Sequence, residues 1–186
     1  MKRSVTAARL ALVLVFTFVA AFSSVAFTPR GAGAADQASC LSSAEQQFLT
    51  LINNYRQSKG LSKLAASKAL NIASYKHSLD MGTRKYFSHN TKTPLPAGQS
   101  GPTPWDRMKD AGYGYNTYKG ENIAAGYSSA QAVFNGWKAS SGHNKNMLNP
   151  NFKVIGIGFV SVSGSPYTHY WTTDFGGKVD AAPTGC

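Results

Sequence analysis

Three side chains in this sequence are of the types that bind metal ions or transfer protons: His89, Glu121 and His143. His89 follows two aromatic residues and a serine, Glu121 stands between a glycine and an asparagine, and His143 follows a glycine. Each is predicted to lie in a turn, where a rigid scaffold can present a side chain to a polar site. Two imidazoles and one carboxylate are a common ligand set for zinc or a related divalent ion. The same groups could act as an acid–base pair.

No local motif fixes which of these chemistries applies. The metalloprotease pattern H-E-x-x-H and the serine hydrolase pattern G-x-S-x-G are both absent. Three serines nevertheless lie near the histidines in sequence: Ser88, Ser140 and Ser141. Glu121 could also form a glycosidase pair with Asp106 or Asp174, but the sequence does not fix the separation of the carboxyl groups.

The residues around His143 predict that a buried helix ends just before this histidine. Residues 136–150 combine Trp137, the glycine-flanked His143, three asparagines and a terminating proline. Trp137 is expected to anchor the helix in the core. His143 would then be presented, just past the helix end, to a polar site.

The elements that position these residues are predicted from periodicity and capping residues. Helices are expected over 41–60, over 67–81, from Thr103 to Gly112, and from a cap at Ser128 to Trp137. The first is expected to begin at a capping box of Ser42 or Ser43 with Glu45 or Gln46, and the third at one of Thr103 with Asp106. Residues 113–118 suggest a strand or an aromatic-rich loop, and strand-like segments extend over 113–124. A β-hairpin is expected over 153–162 and 167–175. Helices first and a hairpin last predict an α+β fold in which helices cover an antiparallel sheet.

Two further patterns concern packing. Gly156 and Gly158 alternate with apolar residues in the first hairpin strand, which predicts that a neighbouring element approaches closely. His77 lies within an apolar helix face and is interpreted as a packed, hydrogen-bonded histidine. His169 lies in the second hairpin strand and is interpreted as a structural or surface residue.

The first 35 residues have the features of a secretory signal. A basic start at residues 2–9 precedes an apolar run over 10–27, and small residues then allow cleavage after Ala34 or Ala35. An uncleaved membrane anchor is the alternative, because an apolar run of this length could just span a bilayer. Cleavage would leave a secreted or cell-surface protein with no further insertion into the membrane.

The remaining residues, 36–186, have the length of a single domain with one core. Removal of four basic residues and no acid lowers the net charge from +11 to +7. The basic residues are spread along the chain, which permits contact with an anionic wall polymer. Basic and aromatic residues are not interleaved as in nucleic-acid-binding proteins, so no nucleic-acid partner is expected.

The two cysteines, Cys40 and Cys186, lie near the two ends of the exported chain. In an exported protein this arrangement predicts a disulfide. In the chain-entropy model a bridge over such a long loop stabilises the fold by about 4–5 kcal/mol. Two free thiols on frayed ends are the alternative.

Eight motifs occur in the order seen in bacterial CAP-domain proteins, the class of cysteine-rich secretory, antigen 5 and pathogenesis-related class 1 proteins. They are F-S-H at 87–89, P-W-D-R-M at 104–108, A-G-Y at 111–113, G-E-N-I-A at 120–124, W-K-A-S-S-G-H at 137–143, N-M-L-N-P at 146–150, I-G-I-G at 155–158 and W-T-T-D-F-G at 171–176. The chain resembles this family over about residues 44–177. The resemblance implies a three-layer α-β-α sandwich with a central antiparallel sheet and a cleft.

The resemblance also implies a site. In animal and plant members the cleft carries two histidines and two acids that can bind a divalent ion. His89 and Glu121 match the first histidine and the first acid, whereas Ser140 stands where the second acid would be. The second histidine of those members opens a strand that reads H-Y-T-Q, and this chain has Y-W-T-T at 170–173. His143 belongs to the bacterial pattern W-x-x-S-x-x-H and would be a substitute.

Members of the family have been linked to lipid binding, proteolysis, and defence or adhesion, and no shared reaction follows. The missing acid at Ser140 favours binding over catalysis. We therefore expect a monomeric, non-enzymatic extracellular protein that holds a divalent metal, zinc foremost, at His89 and His143 with Glu121 nearby. Its expected ligand is a lipid or an anionic wall polymer. A hydrolase of peptides or wall polymers using the same cleft is one alternative, and a purely structural cluster in which Glu121 bonds both histidines is another.

Overall fold

A computed structural model describes residues 39–92 and 101–183, which belong to one compact unit. The helices are α1 (Ser43–Ser58), α2 (Lys68–Thr83), α3 (Pro104–Asp110), α4 (Ala130–Ala139) and α5 (Ser141–Met147). The strands are β1 (Ala65–Ala66), β2 (Lys119–Ala125), β3 (Val154–Ser161) and β4 (His169–Gly176). None of the helices in this part of the chain is long and apolar enough to cross a membrane.

Two predicted features fall outside the described residues. The predicted secretory signal precedes the described residues, and Cys186 follows them. The signal cleavage site, the domain boundary at residue 36 and the Cys40–Cys186 disulfide therefore stay predictions.

Side-chain caps explain where the helices begin. At α1, Ser42 Oγ accepts from the Glu45 amide, and the Glu45 carboxylate accepts from the Ser42 amide, which is one of the two predicted alternatives for the capping box. Thr103 and Asp106 form the same box at the start of α3, as predicted. The prediction that Ser128 caps α4 is wrong by one residue. Ser129 has the extended backbone of a cap, and this places its Oγ 3.2 Å from the Ala132 amide.

The four strands form one sheet in the order β1-β3-β4-β2. The predicted hairpin is confirmed as the antiparallel pair β3–β4, and only β1 pairs in parallel. Of the two alternatives for residues 113–118, a strand or an aromatic-rich loop, the structure shows the loop, and the strand begins at Lys119. Tyr113 is instead buried in the preceding loop, where its hydroxyl donates to the Lys178 carbonyl at 2.6 Å. Because β2 is last in the strand order, it forms one edge of the sheet.

Helix α2 packs directly on one face of β3 and β4. A Cβ atom at Gly156 would lie 2.0 Å from the Leu70 carbonyl carbon, and one at Gly158 would lie 2.3 Å from that of Ser74. Both distances are shorter than any real contact, so the helix can approach this closely only because the two residues are glycines. The predicted close approach is confirmed.

Helices α1 and α4 cover the other face of the sheet with a largely aromatic core. The Phe48 ring lies edge-on to Trp137 at 5.3 Å and tilted against Trp171 at 6.1 Å. Ile155 and Ile157 of β3 complete this core. The sheet thus lies between two helical layers, and the predicted α-β-α sandwich is confirmed.

A buried arginine joins α1 to the end of α5. The guanidinium of Arg56 donates to the carbonyl groups of Met147 and Asn149 at 2.8 and 3.0 Å. It also donates to the carbonyls of Phe152 and Ser62. Because Met147 is the last residue of α5, this buried cation lies at the negative end of that helix.

Candidate functional site

A cleft of about 720 Å³ lies beside the edge strand β2, between the segment around His89 and helices α4 and α5. Its polar residues include His89, Ser140 and His143, and three exposed aromatic residues also line it. These are Phe87, Tyr127 and Tyr167. The cleft therefore offers both hydrogen-bonding groups and apolar surface, which is the usual composition of a ligand site.

Glu121 does not lie in a turn, as the sequence had suggested, but on β2 with its side chain only 2 % exposed. One carboxylate oxygen accepts from His89 Nδ1 at 2.7 Å. The other accepts from Arg107 Nη2 at 2.5 Å. The buried acid thus bridges a histidine in a bend and an arginine on α3, which are the partners that burial of a charge requires.

Arg107 was not identified as a site residue from the sequence. Besides its ion pair with Glu121, its Nη1 donates to the His89 carbonyl at 2.8 Å and to the Pro102 carbonyl at 3.2 Å. The arginine therefore holds both the backbone of His89 and the acid that holds its ring. Its position in the P-W-D-R-M motif, just inside the capped start of α3, was the available signal.

His77 forms a hydrogen bond to the backbone of the same bend. This buried residue of α2 donates from Nε2 to the Ser88 carbonyl at 3.0 Å, because a carbonyl oxygen can only accept. Burial lowers the pKa of His77 to about 4, so the ring is neutral near pH 7. The interpretation of His77 as a packed, hydrogen-bonded histidine is confirmed, and its contact fixes the residue before His89.

His143 lies just past the end of α4, the helix that Trp137 anchors, as predicted, but it is part of the short helix α5 and not of a turn. Ser140 separates α4 from α5, and its Oγ is 2.8 Å from His143 Nδ1. The imidazole stacks on Trp137 with a centroid distance of 6.1 Å. Burial, and secondarily the nearby His89, lowers the pKa of His143. A neutral ring whose Nδ1 is bonded to Ser140 leaves Nε2 for a ligand.

Two asparagines tie α5 to the strand that carries Glu121. Asn122 Nδ2 donates to the His143 carbonyl at 3.1 Å. Asn146 Nδ2 donates to the Glu121 carbonyl at 3.1 Å and to Asn122 Oδ1 at 2.8 Å. Neither asparagine was identified from the sequence as a site residue. These bonds couple the position of His143 to that of Glu121.

The two proposed glycosidase partners of Glu121 are placed very differently. Asp106 is an exposed helix cap. Asp174 is buried on β4 directly across the ladder from Glu121, and its Oδ2 accepts from Ser74 Oγ at 2.9 Å. Burial, followed by the charge of Glu121, raises the pKa of Asp174 well above its usual value. Oδ1 has no hydrogen-bond partner in the described part of the chain, and the raised pKa indicates that this buried carboxyl is protonated.

The donor groups fit a divalent ion only in part. Over residues 39–92 and 101–183, no group of three or more His, Cys, Asp or Glu side chains is arranged to hold a metal. Glu121 is already engaged by His89 and Arg107, so it would orient an imidazole and not coordinate. His89 and His143 thus remain the two donors that a metal could use.

Comparison with known proteins identifies the family. The profile described as "CAP: Cysteine-rich secretory protein family" matches residues 49–175. The chain belongs to the CAP family. This CAP domain is 39 % identical over 140 residues to the uncharacterized protein YkwD of Bacillus subtilis (strain 168), which covers 75 % of this chain and 49 % of the relative. It is 34 % identical over 115 residues to the uncharacterized membrane protein YlbC of the same organism, covering 62 % and 31 %. The CAP chain therefore spans half or less of these curated relatives.

Solved structures agree with this assignment. An extracellular SCP-domain protein from Bacillus anthracis str. Ames superimposes with a TM-score of 0.60 at 34 % identity, covering 72 % of this CAP chain and 40 % of that one. An outer surface protein from Borrelia burgdorferi gives a TM-score of 0.62 at 19 % identity, covering 72 % and 92 %, and shows the fold alone. Both neighbours are described as extracellular or outer-surface proteins.

Proposed function

We propose that this CAP-domain protein acts outside the cell and binds a ligand in its cleft without converting it. The observation that carries the proposal is the pairing of an aromatic-lined cleft of about 720 Å³ with two imidazoles at its polar end. Ser140, where the resemblance implies a second acid, binds His143 and supplies no second carboxylate. The extracellular setting is supported by the described neighbours.

The two histidines are prepared to bind a ligand through Nε2. His89 Nδ1 is 2.7 Å from Glu121 and His143 Nδ1 is 2.8 Å from Ser140, which fixes both ring orientations. Hydrogen bonding of one ring nitrogen typically orients the other for metal coordination. A divalent ion such as zinc would be held by these two nitrogens and would add positive charge to the cleft. Anionic groups of a lipid or a wall polymer would be attracted to that charge.

Calorimetric titration with zinc chloride tests the metal component. Wild-type protein is expected to bind zinc, and His143→Ala is expected to lose most of that affinity. His169→Ala is the matched control, because this histidine lies on β4 outside the cleft and contacts Ser161 and Phe159. Absence of zinc binding in the wild type would remove the metal from the proposal.

The hydrolase alternative is favoured by one observation, the hydrogen bond between His89 and Glu121. A carboxylate that orients an imidazole is the arrangement of a general base with its supporting acid. Screening against peptidoglycan and peptide libraries distinguishes the alternatives. The binding proposal expects no cleavage, whereas cleavage that disappears in the His89→Ala/His143→Ala double variant would establish a hydrolase.

A further inference from the structure

The outer edge of β2 presents unused backbone groups to the cleft. In the β2–β4 ladder, the amide of Gly126 donates to the His169 carbonyl at 2.8 Å. The backbone N–H and C=O groups of the even-numbered residues in this segment therefore point towards β4. Groups alternate in direction along an antiparallel strand. The N–H and C=O groups of Glu121, Ile123 and Ala125 therefore point away from β4.

Side chains of α4 and α5 form hydrogen bonds with only some of these outward-pointing backbone groups. Asn146 Nδ2 donates to the Glu121 carbonyl at 3.1 Å, and Trp137 Nε1 donates to the Ile123 carbonyl at 3.3 Å. In the described part of the chain, no hydrogen-bond partner is found for the Ile123 amide or for either backbone group of Ala125. Ile123 is 5 % exposed and lines the cleft, so an acceptor for its amide would enter there. Buried amides without a partner are rare in proteins.

An extended peptide matches these free groups. Its residue opposite Ala125 would exchange two hydrogen bonds with that residue, and a neighbouring carbonyl would accept from Ile123. Side chains of such a strand alternate in direction, and Phe87, Tyr127 and Tyr167 offer apolar surface in the same cleft. An acyl chain has no acceptor for the two amides, and a phosphodiester group has no N–H or O–H to donate to the Ala125 carbonyl. The edge therefore favours a peptide over a lipid or a phosphate polymer.

We propose that the cleft binds an extended segment of another secreted polypeptide as an additional strand on β2. This inference rests on the proposed function, that the cleft is a ligand site, and it names the class of ligand. Main-chain hydrogen bonds to Ile123 and Ala125 hold the segment, and the aromatic residues of the cleft select its side chains. Natural proteins usually protect edge strands, so two adjacent unprotected donors at the floor of a cleft are consistent with a binding edge.

The first experiment selects ligands and removes one donor. Phage-displayed random nonapeptides are panned on the exported chain, and selected peptides are synthesised and titrated by fluorescence anisotropy. Ala125→Pro deletes the outward amide and no ladder bond, which is the setting in which an edge strand tolerates proline. His169→Ala, which lies outside the cleft, is the control. We expect about tenfold weaker binding for Ala125→Pro, the effect of one lost hydrogen bond, and binding within about twofold for His169→Ala.

A second series keeps the protein unchanged and N-methylates the peptide one residue at a time. Strand addition predicts that methylation of the amide facing Ala125 weakens binding about tenfold, while the next amide along, which points away, tolerates it. This series decides the question even if Ala125→Pro does not fold. Equal affinity across the series, or for a folded Ala125→Pro protein, would overturn strand addition.

Failure of the inference and failure of the proposed function give different results. Zinc binding that depends on His143, combined with a selection that yields no peptide, overturns the inference and leaves the binding function intact. Selected peptides that are cleaved at the cleft, and not merely bound, overturn the non-catalytic function while strand addition stands. Selected binders that glycan fragments of the wall displace at equal affinity, without any effect of N-methylation, also overturn the inference.

Discussion

Asp174 lies directly opposite Glu121 across the β2–β4 ladder, and both acids are buried. Glu121 receives hydrogen bonds from His89 and Arg107, whereas Asp174 Oδ2 receives one from Ser74. Two neighbouring buried carboxyl groups do not both ionise readily, and the one with the cationic partner holds the charge. The structure therefore assigns the charge to Glu121 and the proton to Asp174.

Asp174→Asn is expected to change how stability depends on pH. Because burial and the charge of Glu121 raise the pKa of Asp174, its contribution to stability is present below the unfolded value near 3.8 and lost as pH rises through the folded pKa. An asparagine has nearly the same size and cannot ionise. Thermal unfolding from pH 4 to pH 9 should show a variant at least as stable as wild type at high pH. Asp110→Asn, on an exposed residue, should retain the wild-type profile.

His77→Gln should change the pH dependence in the opposite direction. The pKa of His77 is lowered to about 4 from 6.5, so its contribution to stability is present above pH 6.5 and lost as pH falls through 4. A shift of that size corresponds to about 3 kcal/mol. Glutamine can still donate to the Ser88 carbonyl but does not titrate. The free energy of unfolding, measured with denaturant, should vary less between pH 4 and 6.5 in His77→Gln than in wild type. In His169→Gln it should vary with pH as it does in wild type.

Glu121→Gln separates a structural cluster from a binding site. Removing the charge leaves Arg107 buried without its counter-ion, and the loss of one partner of a buried pair costs roughly 3–5 kcal/mol. A lower melting temperature is expected on either interpretation. The binding site also predicts about 10–100-fold weaker zinc binding, because the group that orients His89 is altered. Unchanged zinc affinity alongside reduced stability would indicate that the cluster is structural.

Gly158→Ala should severely destabilise the protein. The new Cβ would lie 2.3 Å from backbone atoms of Ser74 and Tyr75, which cannot move without displacing α2. The free energy of unfolding is expected to fall by more than about 3 kcal/mol, because the added methyl group overpacks the core. Gly142→Ala is the control, since nothing lies within 4 Å of its Cβ position and the residue is in α5. Alanine there should be neutral or stabilising by about 1 kcal/mol. Equal melting temperatures for the two variants would contradict the close packing of α2 on β3.

Features that depend on neighbouring residues were predictable from the sequence. The capping boxes at Ser42 and Thr103, the β3–β4 hairpin and the close packing at Gly156 each follow from patterns a few residues long. The prediction that Ser128 caps α4 was wrong because the adjacent Ser129 has the same capping chemistry. Only the backbone path out of β2 decides which of them faces the Ala132 amide.

Features that depend on strand register were not predictable. The sequence singled out Glu121, but its ion-pair partner is an arginine 14 positions earlier that reaches it through tertiary packing. The opposition of Asp174 to Glu121 likewise requires the β2–β4 register, which no local pattern specifies. His143 was predicted to lie in a turn because its surroundings are polar. In the structure they form α5, whose polar residues bond to β2.

The guanidinium of Arg56 has a consequence for how the domain unfolds. Its four carbonyl partners lie on segments separated by more than 80 residues in sequence, at Ser62 and between Met147 and Phe152. If α1 detaches, these carbonyls lose their shared donor and α5 loses the cation at its C-terminal end. The first helix and the helix that carries His143 should therefore open as one cooperative unit, with matching amide hydrogen-exchange rates. Ligand capture in the cleft would then slow exchange in α1, on the far side of the aromatic core.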